Sequence, residues 1–411
     1  MTERLYYSDA YQGSFDANVV DLIESPDGPA IVLDRTCFYP TSGGQAHDTG
    51  RLGDFRVVDV VAAADGTVRH LVEAEAKELA QLADRSVHGE LDWLRRYDHM
   101  QQHAGQHLLS GIFHHLFGAE TVSVHFGARE STIDLAVPAL TAEQMDEAGA
   151  FANDMVYRNL PIKSYFVSAD ELSALPLRRP PKVSGRIRIV EIDGFDYSAC
   201  GGTHPATTGE LGPIKLIRQE RRKQQSRLTF LAGRRALADY AAKHRLLVEA
   251  AALYSTEIAH VPEMIQRSLL QVKTLQREVG ELTERQLVHE VGAMVAAAQT
   301  LGEVRVVKDL FTDREVAHVK QMASLLREEA GTVALLGATA GDKLTVIFAR
   351  SDDIPLHVGN LLRDTLREFG GGGGGRPELA QGGGISSAAG ADVLEFALQR
   401  LSQELNSPDL A

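Results

Sequence analysis

Cysteine and tryptophan are scarce in this sequence, whose 411 residues include two cysteines and one tryptophan. So few cysteines exclude a disulfide framework and suit a reducing compartment. Long apolar runs are lacking too, since none reaches the roughly 18 residues that a membrane-spanning helix needs. Residues Met1 to Tyr11 are polar and show no signal-peptide pattern. We therefore expect a cytoplasmic protein that does not bind a membrane.

Positive charge is not in excess either. The net charge is −14, so an interaction with nucleic acid would depend on local clusters of basic residues. Hydrophobic residues make up 44% and charged residues 24% of the chain, which is ordinary for a globular protein. A chain of 411 residues is expected to hold roughly two to four domains.

The order of strand and helix patterns predicts an α+β fold with four parts. Short β-branched runs separated by turn signals predict a small β-barrel in residues 1–90. Residues 91–233 alternate between helical and strand patterns, as expected for an α+β domain. Residues 234–302 are predicted to form a helical arm, and residues 303–411 a C-terminal α/β domain. Pro262 is expected to mark a break between two helices of the arm.

The helical arm carries a short apolar repeat. Its members follow a 3-4-3 spacing and have charged residues between them: Val272, Leu275, Val279 and Leu282. The repeat is too short to predict a coiled coil. A helical hairpin or a dimerisation arm is the more cautious interpretation.

Two pairs of metal-type residues stand out. His103 and His107 are four positions apart in a helical pattern, so their rings share one face. Cys200 and His204 flank the glycine-rich turn Cys-Gly-Gly-Thr-His. Singly, each residue is compatible with a structural role, and a cysteine often serves as a small buried hydrophobe. Together, three imidazoles and one thiolate are a ligand set that zinc prefers, so we predict a zinc site.

The role of the zinc stays open at this point. Four protein ligands favour a closed, structural site, whereas a catalytic zinc usually keeps a position for water or substrate. Zinc could polarise a carbonyl or organise a zinc-bound or zinc-adjacent water. No catalytic side chain is assigned. Four residues near the motifs are candidates for supporting a ligand or accepting a proton: Asp98, His99, His47 and His125.

A glycine-rich segment, Phe38 to Gly50, lies within the predicted barrel. Its glycines allow a tight loop whose only role is structural. Alternatively, the loop presents Thr41, Ser42 and Gln45 to a substrate. The two interpretations are equally supported by the residues alone.

Two basic runs bracket Cys200 in this acidic chain. The first contains Arg178, Arg179, Lys182, Arg186 and Arg188, and the second contains Lys215, Arg218, Arg221, Arg222, Lys223 and Arg227. Such runs are usually solvated surfaces, but their position predicts contacts with a phosphate backbone. Because no aromatic residues are interleaved with them, we expect a structured RNA recognised by its shape.

A second glycine-rich segment runs from Gly370 to Gly384 and is interrupted by Arg376. It could be a flexible linker. We prefer a backbone-rich loop that phosphates approach closely, because a helical pattern follows at Asp392 to Leu405.

These motifs resemble a known family. His103-x-x-x-His107 with Cys200 to His204 resembles the editing domain of alanyl-tRNA synthetase and its free-standing relatives, the AlaX proteins. Phe38 to Gly50 resembles the glycine-rich motif of that family, and Glu210 to Lys215 resembles the segment after its cysteine motif. Gly370 to Gly384 resembles the glycine motif of the DHH-associated domain. The barrel begins near Met1 without an aminoacylation domain, so the resemblance is to the long form of AlaX.

The resemblance implies a function in translation fidelity. It implies that the four motif residues bind zinc and that the site hydrolyses seryl-tRNA, or glycyl-tRNA, of the alanine type in trans. Thr41 would lie near the substrate side chain, where its hydroxyl can bond serine and discriminate against alanine. The C-terminal domain would bind tRNA, and the helical arm or this domain would form a homodimer. The expected tRNA contacts are Arg218, Arg221, Arg222, Lys223, Arg227, Gly373, Gly374 and Arg376.

The sequence departs from the family in three places. Ala104 stands where Thr is frequent, Ala46 stands where Pro is frequent, and Gln224-Gln225 replaces a glycine with paired arginines. Because the four ligands are intact, these departures bear on specificity and tRNA contacts rather than on activity. The alternative function is a non-catalytic tRNA-binding protein with a structural zinc. A phosphoesterase is less favoured, because the chain lacks an Asp-His-His motif.

Overall fold

The computed structural model describes residues 1–25, 27–180 and 185–405. Lys182 of the first basic run and the turn residue Pro26 lie outside the described residues. The chain forms two compact units, Met1–Ile258 and Ala259–Ala411. Among the described residues, no helix combines the length and the apolar character that crossing a membrane requires.

The first unit begins with a closed barrel of six strands in the order β2-β3-β7-β6-β5-β8. A short parallel pair, β1 and β4, lies beside it. The elements are β1 Glu3–Arg4, β2 Ser14–Ser25, β3 Gly28–Leu33, β4 Arg35–Thr36, β5 Gly50–Leu52, β6 Phe55–Ala62, β7 Val68–Val72, α1 Ala76–Leu79 and β8 Ser86–Leu91. Alternate residues of β2, such as Phe15, Ala17 and Val19, are buried, as expected for strands with one face on a core. The predicted N-terminal barrel is confirmed.

The rest of the first unit has two antiparallel sheets, one in the order β14-β15-β10-β9 and one in the order β11-β12-β13. They pack with helices in the manner of an α+β domain, as predicted. The elements are α2 Trp93–Phe117, β9 Thr121–Phe126, β10 Ser131–Leu135, α3 Ala142–Arg158, β11 Ile162–Val167, α4 Ala169–Leu172, β12 Ile187–Ile192, β13 Asp196–Ala199, β14 Ile214–Arg222, β15 Gln225–Ala232 and α5 Arg234–Leu253.

Helix α2 is the central element of this unit. It begins where the Asp92 side chain accepts a hydrogen bond from the Arg95 backbone N–H at 3.2 Å, and it ends at Gly118 in the left-handed conformation. Gly105 allows strand β15 to approach closely, since an added Cβ would lie 3.1 Å from Ala232 Cβ. The helix is buried from Met100 to Phe113, which places its histidines inside the protein.

The second unit contains a six-stranded mixed sheet in the order β16-β17-β18-β19-β21-β20. Successive residues of β18 point to opposite faces, where they pack against α6 and α7 on one side and α8 and α9 on the other. The elements are α6 Val261–Ala296, β16 Gln299–Leu301, β17 Val304–Phe311, α7 Val316–Glu328, β18 Thr332–Ala340, β19 Lys343–Arg350, α8 Val358–Glu368, β20 Gly372–Gly375, β21 Leu379–Ser386 and α9 Gly390–Leu405. Pro262 lies in the first turn of α6, in agreement with the predicted helix break.

The second glycine-rich segment is not a loop. Gly372–Gly375 forms the edge strand β20, which pairs antiparallel with β21, so the loop prediction was wrong. Two of the four facing pairs, Gly372 with Gly383 and Gly373 with Gly382, have no side chains. A Cβ on Gly373 would lie 2.6 Å from Gly382 Cα and 2.8 Å from Leu366 of α8. The glycines are therefore needed for packing between the hairpin and this helix.

Candidate metal centre

The two predicted pairs of metal-type residues meet at one place. The rings of His103 and His107 stack on α2 with centroids 5.1 Å apart. Cys200 Sγ lies 3.4 Å from His103 Nε2 and 3.8 Å from His204 Nε2. The four potential ligand atoms all lie within 4.8 Å of one another. The three histidines are buried, and Cys200 is half-buried.

Gln45 determines which nitrogen of His103 faces the cluster. Its amide N–H donates to Thr203 Oγ1 at 2.8 Å, so its oxygen Oε1 is available as an acceptor. Oε1 accepts from the Thr203 backbone N–H at 3.2 Å and lies 2.8 Å from His103 Nδ1. His103 Nδ1 must therefore carry a proton, which leaves Nε2 unprotonated toward Cys200 in the neutral ring.

The turn between Cys200 and His204 is held from two sides. Arg188, a buried residue of β12, donates through Nη1 to the carbonyl oxygens of Cys200 at 3.0 Å and Gly202 at 2.9 Å. On the other side, a Cβ at Gly202 would lie 2.3 Å from His103 Cε1. Only glycine allows the turn to approach this histidine so closely.

Asp196 is a buried carboxylate next to the cluster. Arg178 forms an ion pair with it, and Ser198 Oγ donates to it at 3.0 Å. Its Oδ2 lies 3.9 Å from His107 Nδ1, which is too long for a hydrogen bond. Both ring nitrogens of His107 are thus buried without a hydrogen-bond partner among the described residues.

The protonation states of the cluster suit a cation. Burial alone would raise the pKa of the Cys200 thiol, but the neighbouring imidazoles outweigh burial and lower that pKa well below its usual range. Burial lowers the pKa of His204 to about 3, so this ring is neutral. Burial would also lower the pKa of His107, but the negative charges of Cys200 and Asp196 raise it to about 9. A cation bound by these four residues would require the thiolate form of Cys200 and the neutral form of His107.

The glycine-rich loop of the barrel is anchored to α2 by a buried ion pair. Arg96 and Asp48 are both fully buried, and Arg96 Nη2 lies 2.5 Å from Asp48 Oδ2. Arg96 also donates to the carbonyl oxygens of Cys37 and Ala10, and Asp48 accepts from the Tyr39 backbone N–H. Every part of this pair is hydrogen-bonded, so the loop that carries Gln45 has a fixed position relative to His103.

The three predicted substrate contacts differ from one another in their exposure and in their hydrogen bonds. Thr41 and Ser42 are exposed, whereas Gln45 is 1% exposed and contacts the metal-type residues. Thr41 Oγ1 accepts a hydrogen bond from the His47 backbone N–H at 3.1 Å. His47 Nδ1 lies 2.9 Å from the Asp59 carboxylate, so this nitrogen carries a proton. Ser42 and Gln45 close the loop through mutual backbone hydrogen bonds.

A cavity of about 570 Å³ opens beside the cluster. Cys200, His107 and Gly201 line it together with residues of strand β9. Four arginines of the first basic run also line it: Arg178, Arg179, Arg186 and Arg188. A small molecule or the end of a larger one can therefore reach the metal-type residues from this side.

The second basic run lies on the hairpin of β14 and β15. Arg218 pairs with Glu130 and Glu220, and Arg227 forms two hydrogen bonds of 2.7 Å with Asp134. The remaining predicted contacts on this hairpin are exposed: Arg221, Arg222 and Lys223. In the second unit, Arg376 is exposed at the turn of the glycine hairpin that contains Gly373 and Gly374.

The other candidates near the motifs have separate environments. Asp98 forms an ion pair with Arg235. Burial lowers the pKa of His99 to about 4, and His125 is exposed on β9. The sequence analysis missed Asp196 and the structural role of Arg188. A charged residue within the aliphatic strand Ile187–Ile192 was the available signal for Arg188.

Three family models match parts of the chain. "tRNA synthetases class II (A)" matches residues 4–95, which contain the barrel. "Threonyl and Alanyl tRNA synthetase second additional domain" matches residues 187–229, which contain Cys200 and His204. "DHHA1 domain" matches residues 304–407 in the second unit. Two of these matches fall in the first unit and one falls in the second.

Along its whole length the chain is similar to the alanyl-tRNA editing protein AlaX-L of Pyrococcus horikoshii. The two are 29% identical over 98% of this chain and 100% of that protein, which confirms the resemblance to the long form of AlaX. Alanine–tRNA ligases of Methanobrevibacter smithii and Pyrococcus furiosus are 28% and 31% identical over 97% and 93% of this chain. The chain spans 45% and 42% of these ligases.

The C-Ala domain of Aquifex aeolicus alanyl-tRNA synthetase is 26% identical and matches 27% of this chain and 98% of that domain, with a TM-score of 0.24.

Proposed function

We propose that the chain is a trans-editing hydrolase, an aminoacyl-tRNA deacylase that removes serine, and also glycine, from tRNA of the alanine type. The observation that carries the proposal is the cluster of His103, His107, Cys200 and His204, of which His107 and Cys200 line a cavity. The full-length similarity to an alanyl-tRNA editing protein supports it. With such a substrate, the activity belongs to the cytoplasm.

Zinc fits the cluster. In a tetrahedral zinc site the ligand atoms lie about 2.0–2.3 Å from the metal and therefore roughly 3.3–3.5 Å apart. The distances of 3.4 Å and 3.8 Å from Cys200 Sγ to two imidazole nitrogens are close to this. The buried, unpaired nitrogens of His107 also need a partner. We propose that His103, His107, Cys200 and His204 hold zinc.

The proposed reaction is ester hydrolysis. The oxygen of water bonds to the acyl carbon, the acyl–ribose bond breaks, and the ribose oxygen leaves as a hydroxyl, which gives a free amino acid and uncharged tRNA. Zinc, when bound, supplies positive charge that stabilises negative charge on the carbonyl oxygen. Gln45 orients His103, and Arg188 holds the turn that carries Cys200. Arg178 pairs with Asp196 beside His107 and keeps this carboxylate ionised.

Specificity for serine is proposed to depend on Thr41 and Ser42 of the barrel loop. The backbone N–H of His47 donates to Thr41 Oγ1, which leaves the Thr41 hydroxyl proton available for a substrate oxygen. A site that bonds a hydroxyl rejects a substrate lacking it strongly. We assign no separate substrate contact to Gln45, because its side chain bonds Thr203 and His103.

The tRNA body is proposed to contact the exposed cations of the β14–β15 hairpin and the glycine hairpin of the second unit. We propose the domain functions that the sequence predicts. Residues 1–90 and 91–233 carry out editing, residues 234–302 form an arm, and residues 303–411 bind tRNA. The arm exposes Val272, Leu275, Val279 and Leu282, which supports dimerisation through this surface.

Deacylation of purified seryl-, glycyl- and alanyl-tRNA of the alanine type tests the proposal. The wild type is expected to hydrolyse the first two esters and to spare the third, and His103→Ala is expected to be inactive. If the wild type binds tRNA but hydrolyses none of the three, the alternative of a tRNA-binding protein with a structural zinc is favoured. The closed set of four ligands is the observation behind that alternative.

A further inference from the structure

One wall of the cavity combines two adjacent aromatic rings with two guanidinium groups. Arg186 Cζ lies 5.1 Å from the ring centroid of Phe166, and Phe166 contacts Tyr7 edge to face at 5.8 Å. Arg188 Cζ lies 5.3 Å from the Tyr7 centroid on the continuation of this row. We call Tyr7, Phe166, Arg186 and Arg188 the stacking wall. All four line the cavity beside Cys200.

Two features of the stacking wall are unusual for residues that only serve packing. Phe166 is 39% exposed although it lies in the strand β11. Arg188 is 8% exposed, yet its Nε has no hydrogen-bond partner within the part of the chain that the structure describes. A buried N–H group without an acceptor is costly. The partly exposed ring of Phe166 and the buried Nε–H group of Arg188 both indicate that a ligand binds this surface.

The size of the cavity indicates how large that ligand is. A volume of about 570 Å³ lies within the range of about 300–1,000 Å³ that is typical of small-molecule sites. A seryl or glycyl group has only a few heavy atoms and would fill a small part of it. A nucleoside that carries an aminoacyl ester fills such a volume far better.

Proteins bind unpaired bases on this kind of surface. Splayed-out bases stack on aromatic rings and on the planar guanidinium groups of arginine, and such stacking tolerates every base. Arg179 and Arg186 are also exposed at the mouth of the cavity, where a phosphate can approach them. The wall therefore suits a single-stranded RNA end.

We propose that the stacking wall binds the unpaired 3′-terminal base of the RNA substrate. The ribose then lies between this wall and the cavity-lining residues Cys200 and His107. The inference rests on the proposed function for the identity of the ester, but the wall itself is defined by contacts of this chain. It also revises the expectation of recognition by RNA shape alone, since Tyr7 and Phe166 lie outside the basic runs in sequence.

The test uses the full chain and an uncharged tRNA of the alanine type whose 3′-terminal base is replaced by 2-aminopurine. Fluorescence of this base is quenched when it stacks. The wild type and Phe166→Trp are expected to quench it. Phe166→Leu keeps an apolar side chain but removes the ring, and it should weaken the quenching interaction about tenfold. Arg186→Lys keeps the charge but loses the plane, so it should also weaken the interaction.

Tyr157→Leu is the matched control, because Tyr157 is an exposed aromatic residue of α3 that does not line the cavity. It should quench like the wild type. Equal quenching by Phe166→Leu and the wild type, or no quenching by the wild type, would overturn the proposal. Hydrolysis of seryl-tRNA is measured separately with the same proteins. Active enzyme without quenching contradicts only the stacking wall, whereas quenching without hydrolysis contradicts only the proposed function.

Discussion

His70 in the barrel and His107 in the candidate metal centre are both buried histidines, but their nitrogens differ. His70 Nδ1 lies 2.9 Å from the Ile31 carbonyl oxygen, and its Nε2 lies 2.8 Å from Thr36 Oγ1. The carbonyl requires a proton on Nδ1, so Nε2 accepts from the Thr36 hydroxyl. His107 has no hydrogen bond at either nitrogen. The first ring completes the interior of a barrel, and the second needs a ligand.

This difference separates structural from functional histidines better than burial does. Burial lowers the pKa of His70 to about 4, as expected for a neutral ring in an apolar core. At His107 the negative charges of Cys200 and Asp196 overcome burial and raise the pKa to about 9. Negatively charged groups beside imidazole nitrogens that make no hydrogen bond are suited to binding a cation.

The largest effect is expected when a ligand of the cluster is removed. If the proposed zinc-dependent deacylation is right, Cys200→Ala should abolish zinc binding and reduce deacylation of seryl-tRNA by at least about 100-fold, because bound zinc would supply the charge that stabilises the carbonyl oxygen. Zinc content is measured by mass spectrometry of the purified protein, and hydrolysis by release of labelled serine. His70→Gln, the matched control from the barrel, should retain zinc. Normal zinc content in Cys200→Ala would contradict the comparison.

The next largest effect concerns the ion pair that anchors the barrel loop. Arg96→Met leaves Asp48 buried without its partner, which should lower the free energy of unfolding by about 3–5 kcal/mol. Urea unfolding followed by the fluorescence of Trp93, the single tryptophan, reports on this unit. The double variant Arg96→Met/Asp48→Leu should recover part of the loss. A double variant as unstable as the single one would show that the unpaired carboxylate is not the cause.

The sequence was sufficient to predict elements with a regular period. The helical pattern around His103 and His107 was confirmed as helix α2, and the spacing of four correctly placed both rings on one face. The glycine hairpin was missed because glycines carry no side-chain pattern and their packing against Leu366 depends on tertiary structure.

The partners of the site were harder to predict for a related reason. Gln45 of the barrel loop contacts His103 of helix α2, and no local sequence pattern predicts this contact. The stacking wall is likewise assembled from three separate segments of the chain. The two halves of the metal cluster were joined from their residue types alone, because three imidazoles and a thiolate form a ligand set that zinc prefers.

A smaller effect is expected from the titration of His70. Its pKa is about 4 in the folded protein and about 6.5 in an unfolded chain, so protons bind the unfolded state preferentially. The contribution of neutral His70 to stability is complete above pH 6.5 and is lost as the pH falls toward 4. The loss should reach about 3 kcal/mol.

The unfolding free energy measured between pH 7 and pH 4 tests this titration. His70→Gln should remove this part of the pH dependence. The control His88→Gln replaces an exposed histidine next to Asp16 and should leave it unchanged. If wild type and His70→Gln lose stability in parallel, His70 does not behave as a structural histidine, and the comparison with His107 fails.

The smallest effect separates two roles for Gln45. If Gln45 acts by holding His103, then Gln45→Ala should weaken zinc binding about 10- to 100-fold, as expected for the loss of a residue that orients a metal ligand. Competition with a zinc-sensitive dye measures this affinity without RNA, and Ser42→Ala in the same loop is the control. If Gln45 instead contacts the substrate, Gln45→Ala should raise the KM for seryl-tRNA and leave zinc affinity unchanged. Burial of Gln45 at 1% exposure, with its oxygen occupied by His103 and Thr203, favours the first result.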